Sequence, residues 1–103
     1  MFTRDAALAH VKAFAADVRR LGVPLRQVIL FGSYARDTQH EWSDIDVALV
    51  ADSFTGAGPL DVRQFGHLMG NYVVIEPHTF QTAYFADGDA FTEEIKRTGI
   101  VVA

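Results

Sequence analysis

Cysteine is absent from the 103 residues. That excludes a disulfide framework, a thiol nucleophile and a cysteine-ligated zinc centre together. It fits a reducing compartment, and a cytoplasmic location is expected. Long apolar runs are missing too. No stretch approaches the roughly 18 residues of a membrane span, and the N-terminus lacks the basic region and unbroken apolar run of a signal peptide. No membrane association is expected. Positive charge is also in short supply. Nine lysines and arginines against thirteen aspartates and glutamates leave a formal net charge of -4. That is the wrong sign for a domain living on nucleic-acid backbone, so direct nucleic-acid binding is not expected.

What is present supports a packed core. Half the residues are hydrophobic and aromatics reach 12%, and the length suits a single domain over residues 1–103. Thr3 is placed to cap a helix from Arg4 to Leu21, with Ala7, Leu8, Val11, Phe14, Ala15, Val18 and Leu21 on its apolar face. Gly22 and Pro24 end it. Arg19, Arg20 and Arg26 read as a solvated face with favourable charge at the helix C-terminus rather than as a binding patch.

Gln27 to Phe31 is a short apolar run suited to a strand buried on both faces. Gly32-Ser33 interrupts it, Tyr34 to Arg36 spans about one helical turn, and a second strand runs from Asp44 to Val50. Ala51 to Pro59, with two glycines, a serine and a proline, reads as a mobile loop. Val62, Phe65, Leu68 and Met69 predict a second amphipathic helix from Leu60 to Met69. Tyr72 to Glu76 predicts a third strand stopped by Pro77. Phe80 to Ala86 fits a helix or an extended turn. Asp89 is placed to cap a last helix ending at Thr98 and Gly99, and Ile100 to Val102 forms a short edge strand or docks on a partner. The fold class expected is α/β (α+β), a small mixed sheet flanked by helices.

The residues with chemistry to offer cluster between the first two strands. Strand alternation puts Asp44 and Asp46 on one face, their Cβ atoms roughly 7 Å apart. At an effective dielectric of about 20, two carboxylates at that distance repel by roughly 2.4 kcal/mol. A hard divalent cation such as Mg²⁺ offsets this directly and completes its shell with waters and phosphate oxygens. Glu76, the one acidic residue between Val62 and Ala86, is the candidate third carboxylate that would allow two ions side by side. Gly32 lets backbone approach a phosphate, Ser33 adds a hydroxyl, and Arg36 adds a forked cationic donor. If Gly32-Ser33 and the aspartates serve one site, strands one and two must be antiparallel. With Glu76 ending strand three, that strand must be antiparallel to strand two. The four histidines show no paired ligand spacing and read as surface or supporting residues.

Gly32-Ser33, ten intervening residues and Asp44-Ile45-Asp46 resemble the GS-x10-D-x-D signature of the DNA polymerase beta-like nucleotidyltransferase superfamily. Gly-Ser-Tyr-Ala-Arg and Ser-Asp-Ile-Asp-Val are most similar to its minimal nucleotidyltransferase branch. The resemblance is strong over about Val28 to Val50. It implies the nucleotidyltransferase fold, with Asp44, Asp46 and Glu76 as catalytic metal ligands for two Mg²⁺ ions and Gly32, Ser33 and Arg36 at the phosphates of ATP or another nucleoside triphosphate. It also implies transfer of a nucleoside monophosphate, AMP in the first instance, with release of pyrophosphate. Small members of the branch often pair with a separate HEPN-domain ribonuclease toxin as its antitoxin, which implies a partner protein, a hetero-oligomer and adenylylation of that partner. The alternative is a non-catalytic antitoxin that neutralises its partner by occlusion. Two positions depart from the family pattern. Asp37 stands where glycine is common, and the third carboxylate, usually an aspartate within a strand, is a glutamate beside Pro77.

Overall fold

Alternating side chains along each strand sort the apolar residues into two cores, one on either face of a four-stranded sheet. The computed structural model describes residues 2–103. Its strands are β1 (Leu25–Phe31), β2 (Ile45–Ala51), β3 (Ile75–Gln81) and β4 (Ile100–Val101), in the spatial order β3-β2-β1-β4. β1 is antiparallel to both β2 and β4, whereas β2 and β3 are parallel. The sheet is mixed, as expected.

On one face, Val28 and Leu30 of β1 and Ile45, Val47 and Leu49 of β2 pack with helix α1 (Arg4–Arg20). Helix α1 starts where Thr3 Oγ1 accepts a hydrogen bond from the Ala6 N–H at 3.1 Å, and it buries Ala7, Val11, Phe14, Ala15 and Val18. Leu21 falls past its end and lies exposed. The three arginines near that end are separately engaged. Arg19 donates to the Leu25 carbonyl, Arg20 pairs with Asp17, and Arg26 pairs with Asp52. On the opposite face, Ile29, Phe31, Ala48, Val50 and Phe80 pack with Phe85 of α3 (Thr82–Asp87) and Ile95 of α4 (Ala90–Thr98). Asp89 caps α4 with a reciprocal bond to Thr92. No helix among the described residues is long and apolar enough to cross a membrane.

The connection between β2 and β3 departs most from the expectations. The helix expected from Leu60 to Met69 is replaced by one α-helical turn, α2 (Gly58–Asp61), and two 3-10 stretches, Val62–Gln64 and Gly66–Asn71. Gly66 in the middle of that stretch weakens a continuous helix. The bonds Phe65 N–H to Val62, Leu68 N–H to Phe65 and Tyr72 N–H to Met69 all span three residues, as tight turns require. Phe65 and Tyr72 pack on Phe14 at ring distances of 5.9 and 5.0 Å. The connection therefore crosses the α1 face and returns the chain to the end of the sheet where β2 begins, which is what a parallel neighbour needs.

Strand three was expected over Tyr72 to Glu76 and instead runs from Ile75 to Gln81 with Pro77 inside it. β3 is an edge strand with one neighbour, so the proline sits where a missing N–H breaks no second ladder. The stretch after β2, expected to be mobile, is tied down. Phe54 is buried, and Asp61, 1% exposed, accepts hydrogen bonds from the Thr55 N–H (2.8 Å), Thr55 Oγ1 (3.0 Å), Gly56 N–H (2.9 Å) and Thr79 Oγ1 (2.7 Å).

Burial alone would push the Asp61 carboxyl up, but these four donors outweigh it and hold it below the ordinary carboxylate range. The unfolded chain then takes up the proton first on acidification, so the stabilisation is complete above about pH 4 and is lost as pH falls through the lower folded-state value. Asp61→Ala leaves four donor groups without their acceptor and is expected to cost about 3 kcal/mol at neutral pH. Chemical denaturation from pH 7 to pH 3 checks this: the difference between wild type and variant should shrink towards the acid end.

Candidate functional site

Antiparallel pairing places Phe31, the last residue of β1, opposite Asp46, the second residue of β2. The chain then leaves the sheet at Gly32 and turns over the Asp46 side chain. Gly32 has φ +75°, and a Cβ there would overlap Asp46 Oδ2 closer than van der Waals contact permits. Glycine is required on both counts. The turn closes with the Arg36 N–H on the Gly32 carbonyl (3.2 Å) and the Thr38 N–H on the Ser33 carbonyl (2.9 Å). The N–H groups of Ser33, Tyr34 and Ala35 make no backbone hydrogen bond among the described residues. Asp37 adopts φ +56°, the left-handed conformation that glycine, asparagine and aspartate tolerate best. The turn thus keeps the backbone path a glycine would give, with an aspartate in its place. Tyr34 and Ala35 are buried beneath it, and the Tyr34 hydroxyl accepts the Phe2 N–H. Arg36 is exposed and forms no ion pair with the described residues.

Glu76 reaches this place by a route different from the one expected. It lies near the start of β3, not at its end, and β3 is parallel to β2. Parallel register sets Glu76 beside Asp46, His78 beside Ala48 and Phe80 beside Val50, so the same face carries all six residues. One oxygen each from Asp46 and Glu76 and one nitrogen of His78 lie within 4.8 Å of one another. His78 Nε2 is 3.4 Å from Asp46 Oδ1 and 3.8 Å from Glu76 Oε1. Asp44, one residue before β2, is exposed and is not part of this group.

His78 was expected to be a surface or supporting residue, and the structure brings it into the group. A period-two reading of β3 from Glu76 would have found it. Pro77 masks that signal, because a proline ordinarily stops a strand. Its ring is held by edge contacts with Phe31 (5.0 Å) and Phe91 (6.1 Å). The other histidines lie elsewhere. His10 packs between Phe2 and Tyr72, and His40 Nδ1 accepts the Trp42 N–H.

Two carboxylates and an imidazole, with Asp46 against the Gly32 turn, form a donor set that suits a divalent cation. Phe91 also forms one wall of a cleft of about 400 Å³ lined by Thr55, Gly56, Thr79, Phe80, Gln81, Tyr84 and Asp89. The Asp89 carboxyl there is held below its ordinary range by the Thr92 N–H and the Tyr84 hydroxyl.

The description of the nucleotidyltransferase domain family matches residues 11–98. Solved structures share the fold, two of them as follows. One, a toxin–antitoxin with AMP-PNP, has 20% identity and a TM-score of 0.64, with 89% of this chain and 71% of that chain covered. The other, a protein of Sulfolobus solfataricus assigned as a nucleotidyltransferase, has 18% identity and a TM-score of 0.60, with coverages of 95% and 80%. No curated protein sequence matches the chain. At these identities the structures speak for the fold, and the family match, which spans most of the sequence, speaks for descent. The chain belongs to the nucleotidyltransferase domain family.

Proposed function

We propose that the chain, one nucleotidyltransferase domain over its 103 residues, transfers AMP from ATP to a hydroxyl of a separate partner protein in the cytoplasm. The observation that carries this reading is the close approach of Gly32 to the Asp46 carboxylate with Glu76 alongside. A triphosphate bound over the Gly32 turn would lie next to the carboxylates.

In this reading Ser33, with the free N–H groups of the turn, holds the terminal phosphates, and Arg36 neutralises their charge. The residues present fit a divalent cation, because oxygen donors of Asp46 and Glu76 already converge. Asp44 is the exposed carboxylate nearest in sequence and contributes to a second position. Mg²⁺ bound there would offset phosphate charge and lower the pKa of the acceptor hydroxyl. The acceptor oxygen attacks the α-phosphorus, the bond to the pyrophosphate oxygen breaks, and the hydroxyl proton passes to Glu76. A partner as acceptor, and a hetero-oligomer with a HEPN-domain ribonuclease toxin, are favoured by the likeness in fold to a toxin–antitoxin solved with AMP-PNP. The competing reading is neutralisation by occlusion, with no chemistry. It is favoured by Asp44 standing outside the converged group.

Incubation with labelled ATP, Mg²⁺ and the cognate partner is expected to label the partner, and Asp46→Asn to reduce labelling by about 100-fold or more. Absence of label from a folded wild-type protein with every nucleotide tried overturns the reading. Full neutralisation of the partner by an Asp44→Asn, Asp46→Asn double variant establishes occlusion instead.

Gly32→Ala introduces a Cβ against Asp46 Oδ2 at a left-handed backbone position. It is expected to cost about 1–3 kcal/mol of stability and to lower transfer by about 100-fold through displacement of the carboxylate. Thermal unfolding and the labelling assay measure the two effects separately.

A further inference from the structure

We infer that His78 is a direct metal ligand, and that it shifts the cation position between Asp46 and Glu76 from Mg²⁺ towards borderline transition ions such as Co²⁺ and Zn²⁺. This rests on the reading above that Asp46 and Glu76 hold a cation. It adds a nitrogen donor that an all-carboxylate site does not have.

Three features support it. The first is donor chemistry. Mg²⁺ prefers oxygen and gives up water reluctantly, whereas imidazole nitrogen suits the later divalent ions. The second is spacing. Cis ligands about 2.1 Å from an octahedral ion stand roughly 3.0 Å apart. Ligands about 2.1 Å from a tetrahedral ion stand roughly 3.4 Å apart. His78 Nε2 lies 3.4 Å from Asp46 Oδ1, the tetrahedral spacing, and 3.8 Å from Glu76 Oε1, so Glu76 would draw in by a few tenths of an ångström on binding. Three protein ligands then leave a fourth position for water or a phosphate oxygen. The third is preorganisation. Phe31 and Phe91 fix the imidazole by packing, so its nitrogen faces the carboxylates before any ion arrives. The side chain is still 29% exposed, open enough for an ion to enter.

The test uses the whole chain without nucleotide. Co²⁺ binding is followed by visible absorption, with Mg²⁺ and Zn²⁺ as competitors. Oxygen sites also favour later ions over Mg²⁺, so the decisive quantity is how the Co²⁺ to Mg²⁺ affinity ratio changes with the variant. His78→Ala is expected to lower Co²⁺ and Zn²⁺ affinity by at least about tenfold and to leave Mg²⁺ affinity nearly unchanged. In wild type, pulsed electron paramagnetic resonance of bound Mn²⁺ is expected to show imidazole ¹⁴N coupling that His78→Ala abolishes. The wild-type spectrum needs no variant to fold. An unchanged affinity ratio in folded His78→Ala, or no ¹⁴N coupling in wild type, overturns the inference. Asp46→Asn separates the two levels. If it removes ion binding while His78→Ala does not, only the role of His78 falls. If it leaves ion binding intact, the cation site itself falls.

Discussion

The pressing of the Gly32 backbone against the Asp46 carboxylate is the constraint around which the candidate site is built. It follows from the antiparallel register in which Phe31 faces Asp46, since the residue after Phe31 must leave the sheet over that side chain. Only a residue without a Cβ fits there. The Gly32 turn and the Asp46 carboxylate are thereby neighbours.

The rest of the fold holds that contact still. One face of the sheet is closed by α1 and the aromatic crossing of Phe14, Phe65 and Tyr72. The other is closed by α3 and α4 along only part of its length. Asp46, Glu76 and His78 occupy the part those helices leave open, and Phe31 and Phe91 mark the border between apolar and polar surface. Asp61 works at a distance by clamping Thr55 and Gly56 to Thr79 of β3. This ties the long connection to the strand that carries Glu76 and His78.

Particular residues show where sequence patterns were informative. The stripe of α1, the Asp89 cap and the Gly99 stop of α4 were legible because each is a local rule within one or two turns. The 60–71 region was not, because its apolar spacing suits a helix while Gly66, Gly70 and the contacts of Asp61 favour tighter turns. Pro77 misled for a similar reason: whether a proline breaks a strand depends on which neighbours that strand has, and β3 has one. Composition singles out Glu76, but its place near the start of a strand parallel to β2 comes only from the register.

The sequence by itself determined the Gly32-Ser33 and Asp44-Ile45-Asp46 motif, the family it points to, and the antiparallel pairing of β1 and β2, all within one short stretch of chain. The tertiary structure alone decided that β3 is parallel to β2 and that Glu76 and His78 converge with Asp46. The physical reason is range. A motif and the strands flanking it are coupled through a short connection. The register of β3 is set by a crossover from residue 52 to residue 74, whose packing on α1 no local pattern encodes.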